Sequence, residues 1–156
     1  MITRGVQHPH TALVVGAGGT ARAACYTLTQ MKVKKLLIFN RTKERAEKLA
    51  KEFGGEVCHS LENCHPPDVI IGTVPAHAQD VERFPDNLFL KKPIVIEMAY
   101  KPKMTFLLKS AEKNGSQIVP GIEVLIEQGM YQFKTWTGYN PPKDPISKVV
   151  YASYTE

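Results

Sequence analysis

Short continuous apolar runs alternate along this chain with segments whose apolar residues recur every three or four positions. Thr11 to Val15 is a short apolar run that stops at Gly16, which predicts a buried strand. Ala21, Ala24, Cys25, Leu28 and Met31 then repeat at helical spacing, predicting a helix from about Gly19 to Met31. Lys35 to Phe39 reads as a second strand, and Ala46, Leu49, Ala50 and Phe53 mark one face of the helix after it. Glu56 to Cys58 is a weaker strand, followed by Asp68 to Gly72 and Pro93 to Glu97. Thr105 is a plausible N-cap for a helix to about Lys113, closed by Asn114-Gly115, and Gln117 to Val119 supplies another strand. The last long helix is expected from about Gly121 to Trp136, with Ile122, Leu125, Ile126, Gly129, Phe133 and Trp136 on its packing face. A short helix around Ser147 to Tyr154 should end the chain.

Alternating strands and helices with continuously apolar strands predict an α/β fold. The expected architecture is a doubly wound, Rossmann-type, mostly parallel sheet of about six strands with helices on both faces. Residues 1–10 read as a leader joined to something upstream, 11–140 as the nucleotide-binding domain, and 141–156 as a tail. The length of 156 residues suits one domain, and 43% hydrophobic residues suit a globular class. No apolar run approaches the roughly 20 residues of a membrane span, the start is not a signal peptide, and a cytoplasmic setting is expected. The net charge of +5 is scattered, which fits a small anionic ligand and argues against nucleic acid as a partner.

"VVGAGGTARAA" sets Gly16, Gly18 and Ala21 in a G-x-G-x-x-A pattern between a strand and a helix. Gly16 permits the tight turn, Gly18 lets the backbone approach a pyrophosphate, and Ala21 allows close packing of helix on strand. The helix N-terminus then offers N–H groups to phosphate. A dinucleotide is the expected ligand, with a methyltransferase-type loop for an adenosine cofactor as its rival.

The second strand ends Phe39-Asn40-Arg41-Thr42, where an NAD site would carry an acid for the ribose 2′-hydroxyl. A 2′-phosphate carries roughly −1.5 to −2 charges, which a carboxylate would repel and an arginine can clamp. Thr42 can cap the helix and donate to that phosphate, and Arg45 lies one turn further on the same side. Arg45 also occupies the place where a capping box would want Glu, so the helix is electrostatically unfavourable until an anion binds. Arg41 and Arg45 therefore predict NADP and weaken the methyltransferase reading. Lys43 and Lys48, balanced by Glu44 and Glu47, read as an ordinary solvated face.

"GAGGTARAA" with "NRTKERAEKLA" resembles the shikimate dehydrogenase family. So do "EMAYKPKMTFLLKSAEKNG" and "VPGIEVLIEQGMYQFKTWTG", and the wording "EMAYKP" and "PGIEVL" is nearest the shikimate dehydrogenase region of fungal pentafunctional AROM polypeptides. The resemblance implies that Ala17, Gly18 and Gly19 hold the pyrophosphate, and that Asn40, Arg41, Thr42 and Arg45 hold the 2′-phosphate. It implies that Thr73, Val74 and Pro75 run past the cofactor and that Met98 and Gly121 line the nicotinamide. Tyr100 and Gln128 would reach shikimate or 3-dehydroshikimate. Gly72 stands where many members have Asn, Glu97 where Asp is usual, and Val124 where Met is usual.

The family resemblance also implies an N-terminal substrate domain bearing the catalytic Lys and Asp, for which this chain has no candidate. No catalytic residue is therefore expected here, and the chain is expected to bind NADP without turning over shikimate, working with upstream domains of a larger polypeptide. A non-catalytic, quinate-repressor-like metabolite sensor is the alternative. "CHSLENCH" matches none of the usual zinc spacings, so no metal is expected, and the three cysteines are expected to be free thiols.

Overall fold

The computed structural model describes residues 9–75 and 84–154. Within them β1 (Thr11–Val15), α1 (Gly19–Gln30), β2 (Lys35–Phe39), α2 (Lys43–Phe53) and β3 (Glu56–Val57) follow in order. Next come β4 (Val69–Gly72), a 3₁₀ turn (Asp86–Phe89), β5 (Ile94–Glu97), α3 (Phe106–Lys113) and β6 (Ile118–Val119), then α4 (Gly121–Thr137) and α5 (Lys143–Ser153). The six strands form one sheet in the order β3-β2-β1-β4-β5-β6, and every pairing is parallel. This is the order of a doubly wound nucleotide-binding sheet, whose direction of winding reverses between β1 and β4.

Strand side chains alternate between two cores because successive residues point to opposite faces. Ala12, Val14, Leu36, Ile38, Val69 and Ile71 pack under α1 and α2, while Leu13, Val15, Leu37, Ile70 and Val95 pack against α3 and the 3₁₀ turn. A separate small cluster joins Ile122, Ile126 and Met130 of α4 to Ile146, Val150 and Tyr154.

Several boundaries differ from expectation. Asp68 precedes β4, and its carboxylate accepts from the Thr11 N–H at 2.8 Å and the His10 N–H at 3.0 Å. Met31, Cys58, Pro93 and Gln117 likewise fall just outside their elements. The final helix begins at Lys143 rather than near Ser147, because Pro145 sits in the first turn, where a missing N–H costs no helical bond. The packing face of α4 is also shifted. Ile122 and Ile126 are buried with Met130, but Leu125, Phe133 and Trp136 are 37%, 40% and 78% exposed. Both stripes fit a helical repeat, and α5 covers only one of them. Among the described residues no helix is long and apolar enough to cross a membrane.

Candidate functional site

The carboxyl ends of β1, β2 and β4 meet at the reversal point. Gly16 has φ +118°, and a Cβ there would stand 2.3 Å from the Thr73 hydroxyl oxygen. The Gly16 N–H donates to the Phe39 carbonyl at 2.7 Å. The Thr73 N–H and hydroxyl both donate to the Val15 carbonyl, at 2.9 and 2.8 Å. α1 opens from Gly18 with no side-chain cap and no acid in its first turn, so its positive end is uncompensated. A Cβ on Gly18 or Gly19 would meet nothing within 4 Å. The protein itself therefore does not require glycine at either place.

A cavity of about 360 Å³ opens above these strand ends. Ala17 and Gly18 form one wall, Asn40, Arg41, Thr42 and Arg45 a second, and Thr73, Val74 and Pro75 a third. Its inner lining is Val15, Phe39, Phe84 and Leu107, with Gly72 and Glu97. The Asn40 amide donates to the Thr42 carbonyl at 2.9 Å, which shapes the turn into α2. Thr42 takes the N-cap position with extended backbone, but its hydroxyl makes no capping bond, contrary to the expected cap. Arg41 and Arg45 are both exposed at the mouth.

A second cavity of about 350 Å³ adjoins the first and shares Thr73, Val74 and Pro75 with it. Met98, Ala99, Tyr100, Lys101 and Thr20 complete its lining. Gly19, Gly121 and Gln128 lie on neither wall. Gly121 acts at one remove: a Cβ there would stand 2.2 Å from the Ala99 carbonyl oxygen, so α4 begins hard against the segment after β5. The Gln128 amide donates to the Leu125 carbonyl of its own helix at 3.2 Å.

Comparison with known proteins decides the family. The profile described as "Shikimate / quinate 5-dehydrogenase" matches residues 3–82, and that described as "Shikimate 5'-dehydrogenase C-terminal domain" matches residues 121–151. The chain belongs to the shikimate/quinate dehydrogenase family. The pentafunctional AROM polypeptide of Malassezia globosa is 39% identical over 158 residues, covering 92% of this chain and 10% of its own length. The shikimate 5-dehydrogenase of Thermus thermophilus, solved in complex with NADP(H) and shikimate, superposes with a TM-score of 0.81 at 27% identity. That match covers 94% of this chain and 56% of the Thermus one. Dehydroquinate dehydratase and shikimate dehydrogenase from S. pombe AroM superposes with a TM-score of 0.78 at 26% identity, over 92% of this chain and 30% of that one. The chain thus spans about a tenth of the Malassezia relative and about half of the Thermus enzyme.

The three cysteines of this family member are unpaired. Burial pushes the Cys25 thiol up to about 11, with Glu52 adding to the effect. Cys58 is held below the ordinary thiol range by a hydrogen bond from Cys64, which is raised in turn. Among the described residues no group of three His, Cys, Asp or Glu side chains is placed to hold a metal.

Sequence reasoning missed Thr20, Phe84 and Lys101. Thr20 could have been found as the first side chain after the glycine turn. Phe84 carries no local signal, since it reaches the cavity only through the tertiary fold.

Proposed function

We propose that this chain is the NADP-binding half of a shikimate dehydrogenase, which interconverts 3-dehydroshikimate and shikimate. One observation carries the reading: Arg41 and Arg45 flank the uncapped start of α2 on the cavity wall, and β2 ends without an acid. Two guanidinium groups beside open helical N–H groups suit a phosphate dianion, and they give a bare 2′-hydroxyl no acceptor. The empty space over Gly18 and the uncompensated start of α1 fit a pyrophosphate in the same cavity. NADP, when bound, supplies the nicotinamide ring that takes up or returns the hydride. Met98 and Tyr100 lie in the adjoining cavity, where the ring and the substrate would meet.

In this reading the acid/base group for the hydroxyl proton comes from outside the chain. The ion pair of Lys91 with Asp68, at 3.5 Å, stands at the amino ends of the strands, away from both cavities. Phe133 and Trp136, one turn apart on α4 and both exposed, offer an apolar surface for a further domain of a larger polypeptide.

Titration with NADP and with NAD tests the reading. NADP should bind at least about tenfold more tightly, and equal affinities would overturn the phosphate assignment. Binding of neither nucleotide would favour a non-catalytic metabolite sensor. The isolated chain should form no NADPH from shikimate above a protein-free control, and measurable formation would overturn the proposed division of labour.

A further inference from the structure

Glu97 closes β5 and is completely buried, in a molecule whose other buried polar side chains among the described residues are Thr11 and Thr105. Its Oε1 accepts from the Ala99 N–H at 3.1 Å, and its Oε2 accepts from the Thr105 hydroxyl at 2.8 Å. The Thr105 oxygen accepts in turn from the Leu108 N–H at 3.3 Å, so the same hydroxyl caps α3. One carboxyl group thereby ties the departure of the chain from β5 to its entry into α3. The residues between these ties include Tyr100 and Lys101, and Met98 lies directly beside them, so the clasped segment forms one side of the second cavity.

Burying a carboxyl group costs free energy that its hydrogen bonds must offset, so an apolar residue would serve the core alone as well or better. The room for it comes from the neighbouring strand. Gly72 is the register partner of Glu97, and a Cβ at Gly72 would stand 2.9 Å from Oε1 and 2.7 Å from Leu107 Cδ2. The carboxyl group therefore occupies space that any side chain at position 72 would contest.

We propose that Glu97 is a positioning residue: seated against the bare backbone of Gly72, it holds residues 98–104 in the conformation that presents Met98 and Tyr100 to nicotinamide and substrate. This rests on the cofactor reading above.

The test uses the chain itself with two ligands, NADP and adenosine 2′,5′-bisphosphate, which shares the phosphate-bearing adenosine but lacks the nicotinamide. Glu97→Asp is one methylene short and cannot span both partners. It should weaken NADP about fivefold to tenfold and the bisphosphate clearly less, since the buried carboxyl group meets the first cavity only at its inner lining. Deuterium exchange in a peptide spanning 98–105 should quicken about tenfold, with β1 and α1 unchanged. Glu97→Gln should lie close to the parent, because the Thr105 hydroxyl can turn to accept from the new amide. Gly72→Ala, which crowds the carboxyl group without removing it, should reproduce the Asp pattern and covers the case in which Glu97→Asp does not fold.

Equal loss of both ligands, exchange quickened throughout the molecule, or no change in the 98–105 peptide would each overturn the inference. If the parent chain binds neither nucleotide, the cofactor reading fails, and with it the presentation of Met98 and Tyr100.

Discussion

The Thr73 hydroxyl fills the space where Gly16 has no side chain: a Cβ there would lie 2.3 Å from the oxygen that donates to Val15. Gly18, two residues on, faces open space. The two glycines should therefore fail differently. Gly16→Ala adds a steric clash to a φ of +118° and should cost roughly 2–4 kcal/mol of stability, seen as a lower melting temperature with or without ligand. Gly18→Ala should melt within a few degrees of the parent yet bind NADP at least about tenfold more weakly, by calorimetric titration.

Arg41→Ala and Arg45→Ala should each weaken NADP by roughly 10- to 100-fold and leave NAD nearly unchanged, the loss expected for a charge-assisted hydrogen bond. The NADP preference of the parent should also shrink as salt rises. Arg45→Glu offers a sharper contrast. It places an acid three residues after the N-cap Thr42, so the ligand-free protein should gain about 0.5 kcal/mol while NADP binding is lost. Thermal melting and titration on the same sample check both halves.

Asp68 ties the beginnings of β1 and β4 together from the edge opposite the cavities. Burial alone would raise its carboxyl group, but the Thr11 N–H, the Lys91 ammonium and the His10 N–H together hold it below its ordinary 3.8. A depressed acid stabilises the fold above its unfolded value and loses that contribution as pH falls through the folded one. Asp68→Asn should cost about 1–2 kcal/mol near neutral pH, and the difference from the parent should disappear below 3.8 as the native carboxylate is protonated. Urea unfolding at several pH values measures it.

Cys25 gives the opposite dependence at the alkaline end. Its thiol is pushed up from 9.0 to about 11, so the folded state holds a proton that the unfolded state has released. Stability is present below pH 9.0 and declines between there and about 11, by at most about 1.4 kcal/mol per pH unit. Cys25→Ala should flatten that part of the decline. The parent thiol, with no exposed surface, should resist iodoacetamide until the protein unfolds.

The strands were legible because buried parallel strands are apolar without interruption, as in Leu36 to Ile38 and Val69 to Ile71. The parallel sheet and two walls of the first cavity were equally visible, since the glycine turn and the Asn40 to Arg45 segment are each signalled by residues adjacent in the chain. What escaped notice depends on partners distant in the chain. Two apolar stripes compete on α4, and only the docking of α5 decides that Ile122, Ile126 and Met130 are the covered ones. Thr42 has the right chemistry for a cap, but its hydroxyl does not make that bond. Glu97 stands where Asp is usual in the family, and only Gly72, on the neighbouring strand, accounts for where its extra length goes.

The two cavities share only Thr73, Val74 and Pro75, on the connection that leaves β4. The wall carrying the arginines is built from the β1–β2 half of the sheet, and the wall carrying Met98 and Tyr100 from the β5 side. Apart from Glu97 and Gly72, which line the first cavity and brace the second, residues of one wall should be open to change without moving the other's backbone. With the cavities assigned as proposed above, preference for a coenzyme and preference for what it reacts with should be largely separable traits, to be inherited or engineered one at a time.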